Sequence, residues 1–204
     1  MIDYSQSKIL GDPDVRKDLL GKIKLPHVKL LNQFVEKIRQ EKGSDYYIPY
    51  FDPNDGGVNA KTLFLLEAPG PRAVRSEFVS RNNPDETARN ILELLNEAGL
   101  SREETVLWNT VPWYIGSGKK IRGATEADVE GSLAYLKELL SILKDLRSIV
   151  LVGKVAQRVE VSIKDFSTLS VYKSPHPSPM FINRKLKNRA LILKVFSTVN
   201  KSIK

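Results

Sequence analysis

Three short segments carry residue types suited to chemistry on a bound planar ring. In Leu66-Glu67-Ala68-Pro69-Gly70-Pro71 an apolar run meets a sharp turn, because proline fixes φ and glycine permits φ > 0. That turn presents one carboxylate, Glu67, together with backbone N–H groups; an ordinary strand-exit turn is the plain alternative. In Trp108-Asn109-Thr110-Val111-Pro112-Trp113 the amide of Asn109 offers one donor and one acceptor on a rigid plane. Such a pair matches a pyrimidine edge with a ring N–H beside a carbonyl and mismatches the edge of cytosine; a turn-capping Asn is the plain alternative. In Ser174-Pro175-His176-Pro177-Ser178-Pro179-Met180 three prolines within five residues forbid a helix and display His176 at a fixed place.

The elements that must hold these segments alternate in type. Residues 28–42 set Leu30, Leu31, Phe34, Val35 and Ile38 at helical spacing, with Pro26 near the start. Residues 46–57 are rich in Pro, Asp, Asn and Gly and read as a loop. Lys61–Leu66 reads as a buried strand, Pro84–Leu100 as a helix capped by Asn83 with Glu86 three residues on, and Thr105–Trp108 as a second strand. Ala127–Leu146 reads as one long amphipathic helix, Ser148–Val152 as a third strand ended by Gly153, Leu169–Tyr172 as a fourth, and residues 183–204 as a basic final helix. This order predicts one α/β domain over 1–204, with an N-terminal helical segment over about 1–45. The expected architecture is three-layer α/β/α around a central, mostly parallel, four-stranded sheet. Ligands of such sheets bind at the carboxyl ends of the strands, where all three segments lie.

Composition narrows the chemistry further. With 204 residues, 41% of them hydrophobic, the chain has material for a full core. No apolar run approaches the roughly 18 residues of a membrane span, and the N-terminal stretch lacks the apolar region of a signal peptide. Zero cysteines exclude disulfides, thiolate zinc sites and iron–sulfur clusters, and two histidines argue against a histidine-rich metal site. The expectation is a cytoplasmic protein without metal or cofactor and without a membrane partner. The net charge of +8 suits a polyanion, and Lys119, Lys120 and Arg122, with Arg184, Lys185, Lys187 and Arg189, form two basic runs beside the second and third segments. Neither GxGxxG nor GxxxxGK[ST] occurs, which removes support for an unrelated nucleotide enzyme.

Taken in order, these segments resemble the uracil-DNA glycosylase superfamily. His176-Pro177-Ser178-Pro179-Met180 is similar to its His-Pro-Ser-Pro-Leu loop, and Leu66-Glu67-Ala68-Pro69-Gly70 to the Gly-Glu-Ala-Pro-Gly motif of its iron–sulfur branch. Ser76-Glu77-Phe78-Val79-Ser80 follows at about the spacing of that branch's Pro-Phe-Val-Gly segment, and Asn109-Thr110-Val111 resembles the Asn-Thr-Val of the best-known branch. The likeness spans about residues 50–185. The chain departs from the pattern in lacking the cluster's cysteines. It also has Ala68 where the best-known branch has Asp, and Gly70 where that branch has a thymine-excluding Tyr.

The resemblance implies a monomeric DNA-repair hydrolase, nucleoid-associated, acting on DNA that holds uracil or another damaged base. It implies that His176 stabilises the departing base and that Asn109 reads its edge. Phe78 would stack on the flipped ring beside Ala68 and Gly70, and Met180 would wedge into the vacated stack. Glu67 is the first candidate to activate water, ahead of Asp52 and Asp55, with Asn82 or Asn83 as groups that would orient it. Pro177, Ser178, Lys120 and Arg184 would face DNA, with Ser178 and the backbone near Ala68 to Gly70 holding phosphates. The alternative is a glycosylase-like protein that binds DNA or a nucleotide with weak catalysis or none.

Overall fold

Runs of β-branched, leucine and aromatic residues too short for helices make the centre of the molecule. The computed structural model describes residues 2–117 and 122–204. Its main sheet joins Thr62–Leu66 (β2), Thr105–Asn109 (β4), Ser148–Val152 (β5) and Ser170–Ser174 (β6), all parallel, in the order β4-β2-β5-β6. Tyr50–Phe51 (β1) and Phe78–Val79 (β3) form a separate parallel pair. Every residue of β4 and β5 is buried. That explains their unbroken apolar sequences, since a strand covered on both faces has no side to keep polar.

Helices close both faces. They are Pro13–Leu20 (α1), Pro26–Lys42 (α2), Pro71–Ser76 (α3), Glu86–Glu97 (α4), Glu126–Glu130 (α5), Leu133–Ile142 (α6), Glu160–Phe166 (α7), Pro179–Arg184 (α8) and Lys187–Ile203 (α9). The register pairs Phe64 with Leu107 and Leu65 with Trp108, so alternate residues take opposite faces. On one face Phe64 meets Phe196 of α9 at 4.9 Å between ring centroids. On the other, Trp108 stacks on Phe51 at 3.8 Å and meets Phe34 of α2 at 6.5 Å. Each buried aromatic of this kind contributes about 1.5–3 kcal/mol through area removed from water. The four-stranded parallel sheet between helical layers is the architecture expected from the sequence.

Several boundaries differ from expectation for local reasons. The long helix over 127–146 is two helices: Gly131 ends α5, and the Ser132 hydroxyl bonds the Val129 carbonyl at 2.8 Å instead of letting the turn continue. Asp85, not Asn83, caps α4, because the Asn83 amide is already held by Ser76 and by the Phe78 carbonyl. Pro179 does not forbid a helix but begins one, at the first position, where its missing N–H costs nothing. The final helix starts at Lys187, after Lys185 turns extended. The stretch 46–57 contains the short β1.

Candidate active site

Two strand ends are tied directly to one another. The Thr110 N–H donates to the Leu66 carbonyl at 2.8 Å and the Val111 N–H to the Glu67 carbonyl at 2.9 Å. These bonds extend the β2–β4 pairing one step into the turns and set Glu67 and Asn109 in fixed relation. Leu66, Leu107 and Asn109 share the sheet face that α9 covers and line one cavity. Asn109 is 4% exposed, and its Nδ2 has no hydrogen-bond partner. An unsatisfied buried donor costs about 1–3 kcal/mol, and this one belongs to a residue that lines the cavity. Glu67 accepts from the Ala124 N–H at 2.8 Å through Oε1, which pins the first turn to the chain entering α5.

The third segment is clamped from two sides. The Gly153 N–H and the Gln157 side-chain amide both donate to the Ser174 carbonyl, at 2.9 and 3.0 Å. From α4, Asn90 Nδ2 donates to the Pro177 carbonyl at 2.9 Å. His176 lies between these anchors and packs close to Gly153. A Cβ added there would sit 3.2 Å from His176 Cβ, on a residue whose φ is +88°. Only glycine meets both demands without displacing the imidazole.

The result is a single cavity of about 560 Å³ lined by Glu67, Ala68, Gly70, Asn109 and His176 together. The imidazole, the amide and the carboxylate named from sequence therefore converge. Burial holds the His176 pKa below the ordinary histidine value, with the Glu67 and Asp85 carboxylates pulling the other way. The imidazole is accordingly neutral near pH 7 and can donate one N–H without carrying a charge. A Cβ at Gly70 would meet nothing within 4 Å, so the cavity is open on that side.

Other sequence candidates stand elsewhere. Phe78 does not line the cavity. It is 0% exposed and packs with Leu10, Val15 and Leu19 against α1, so no face is left for a base. Adjacent strand residues point oppositely, and it is Val79 that reaches the cavity. Met180 stands 83% exposed in the first turn of α8, and Ser178 caps that helix by accepting from the Phe181 N–H at 3.3 Å. Pro177 is buried, and Arg184 lies exposed in the last turn of α8. Lys120 lies outside the described residues. Asp52 and Asp55 are absent from the cavity wall and belong to a buried cluster with Arg81 and Arg102. Asn82 is turned away as well, donating to the carbonyls of Tyr4 and Gln6.

Sequence reasoning missed two charged groups of the wall, Asp85 and Arg72, and named Arg122, which also lines it, only as part of a basic run. Asp85 accepts from the Ala88 N–H at 2.9 Å as the cap of α4. A readable signal existed: it is the cap-forming residue nearest the apolar stripe of Ala88, Ile91, Leu92 and Leu95. Arg122 is bound to Asp128, with Nη2 at 2.9 Å from Oδ1.

Among known proteins, the family model for the Uracil DNA glycosylase superfamily matches residues 53–200. Similar solved structures include a putative uracil DNA glycosylase from Methanosarcina acetivorans, 15% identical with a TM-score of 0.43 over 70% of this chain and 92% of that one. Another is wild-type UNG from Nitratifractor salsuginis, 13% identical with a TM-score of 0.48 over 94% of this chain and 98% of that one. No curated protein matches the chain.

Proposed function

The chain belongs to the uracil DNA glycosylase superfamily, and we propose that it extrudes uracil, or a related deaminated base, from DNA and hydrolyses the bond joining that base to deoxyribose. The observation that carries this reading is the convergence of His176, Asn109 and Glu67 on one cavity at the carboxyl ends of the strands. In the reaction, the C1′–N bond breaks with its electron pair passing to the base, and a water oxygen bonds to C1′. Neutral His176 donates its N–H to a ring carbonyl, where negative charge gathers as the base departs. The Asn109 amide pairs with the ring N–H and the adjacent carbonyl, which satisfies its orphaned Nδ2. The proton lost by water goes to Glu67, whose Oε1 is held by Ala124. Asp85 is the second carboxylate of the same wall and the alternative base.

Access to a stacked base requires extrusion at a cost of a few kcal/mol. Met180, apolar and exposed beside the His176 loop, suits the gap the base leaves. The hydroxyl of Ser178, the exposed Arg184 and the net charge of +8 suit the flanking phosphates. The open side at Gly70 means that a 5-substituted pyrimidine or a purine such as hypoxanthine meets no wall there.

Oligonucleotides bearing one defined lesion each, incubated with the protein and then treated with alkali, test the proposal. Breaks at uracil are expected, and His176→Ala should slow their appearance about 100- to 1000-fold. Absence of breaks at every deaminated base would leave the chain a base-binding protein.

A further inference from the structure

A second cleft of about 410 Å³ adjoins the cavity, with Ile115 and Arg122 lining both. Its base is aromatic: Trp113 meets Tyr46 edge-on at 5.6 Å and Tyr135 at 6.2 Å. The Lys42 ammonium stands over this group, 4.2 Å from the Trp113 centroid and 5.5 and 5.7 Å from those of Tyr46 and Tyr135. Its neighbour Lys37 pairs with Glu41 and Glu138, whereas Lys42 forms no ion pair among the described residues. Among the described residues the one carboxylate of the cleft, Asp128, is taken up by Arg122 and by the backbone N–H of Thr125. The cleft therefore offers an anion an ammonium with no counterion, fixed in place by π faces. Beside it stands the aromatic ring of Tyr46, 40% exposed.

A phosphate joined to a planar ring answers both features, and Ile115 and Arg122, common to both linings, set the cleft directly beside the cavity. We propose that this cleft seats the nucleotide adjacent to the extruded one, its base on Tyr46 and its phosphate on Lys42. The inference rests on the base-excision reading for the identity of the first nucleotide, and it adds a second point of grip on a locally single-stranded substrate. Stacking of this kind tolerates any base, so the cleft lends affinity and register without adding sequence preference.

The test is fluorescence anisotropy with labelled short single strands containing 2′-fluoro-deoxyuridine, in which the glycosidic bond resists hydrolysis. Replacing the neighbouring base by an abasic spacer, on one side of the uracil only, should weaken binding by wild type about tenfold. Tyr46→Ala should lose the same factor and become indifferent to the spacer, while Tyr46→Phe keeps both affinity and spacer dependence. Lys42→Ala should flatten the logarithmic salt dependence by about 0.7, and Lys42→Arg should restore it. Wild-type affinity and salt dependence in Tyr46→Ala and Lys42→Ala overturn the proposal, as does equal competition by polyglutamate, which would point to an acidic protein surface. The two readings fail separately. Release of uracil from an ordinary strand without these binding effects removes the cleft alone, and the binding effects without uracil release remove the excision chemistry alone.

Discussion

Two pairs of acidic residues lie near the ends of the same sheet and have opposite surroundings. Asp52 and Asp55 are 1% and 3% exposed and are set against guanidinium groups: Arg102 Nη2 is 2.7 Å from Asp52, and Arg81 Nη2 is 3.3 Å from Asp55. Burial raises the Asp55 pKa and lowers that of Arg81, each opposed by the partner's charge. Glu67 and Asp85 line the cavity without an ion pair among the described residues, each held through one oxygen by a backbone N–H. On the proposed mechanism, the difference separates structural from chemical carboxylates. A carboxylate that neutralises a buried guanidinium cannot take a proton without stranding that cation. One anchored by a neutral N–H keeps its second oxygen for a water. Asp52 still touches the site indirectly, by accepting the hydroxyl of Ser80, a residue of the cavity wall.

The largest effect that tests this division is on rate. Glu67→Gln preserves the bond from Ala124 but removes the basic oxygen, so turnover on uracil-containing DNA should fall about 100- to 10,000-fold with DNA affinity unchanged. Asp85→Asn should cost less. A reversal, with Asp85→Asn the costlier change, would move the base from β2 to the cap of α4 and leave the division between the two pairs intact. Next in size is stability. Arg102→Met should lower the unfolding free energy by about 3–5 kcal/mol, because it leaves Asp52 and Asp55 buried with less compensation. Urea denaturation measures the loss, and turnover per folded molecule should stay within a few-fold of wild type. A large loss of turnover in the folded fraction would mean that the arginine cluster acts in the chemistry through Ser80.

Much of this arrangement was legible in the sequence, and the illegible parts share a cause. The strands β2, β4 and β5 announce themselves because each is buried and is bounded by Pro, Gly or Asn, and the turn after β2, Asn109 and the proline-framed His176 follow from them. Phe78 and Val79 could not be told apart, since a two-residue strand carries no alternation from which to read which side faces the cavity. The amphipathic stripe runs through Gly131 and Ser132, so the break between α5 and α6 was masked by apolar residues that remain in phase across it. Asn83 and Asp85 are both cap-forming types, and the choice between them was made by Ser76, which occupies Asn83. The cleft around Lys42 joins the end of α2 to residues after β4 and on α6, a tertiary meeting that no local pattern encodes.

The smallest effect sharpens the comparison from the other side, through the histidine that the cavity carboxylates face. Burial depresses the folded-state pKa of His176, with Glu67 and Asp85 offsetting part of the depression. The unfolded chain binds this proton near pH 6.5, so below that value the unfolded state carries more protons than the native state. Stability is therefore full above about pH 6.5 and is lost as pH falls toward the depressed folded-state value. Urea midpoints at about pH 7.5 and pH 5 should separate more for wild type than for His176→Asn, which has no proton to gain. Glu67→Gln removes a charge that favours the imidazolium, so its midpoints should separate further than those of wild type. Asp52→Asn should leave the separation due to His176 as it is, because the Asp52 charge is spent on Arg102 and does not act on the imidazole. Equal separations in wild type and His176→Asn would show that the imidazole is solvated and that the cavity does not grip it as described.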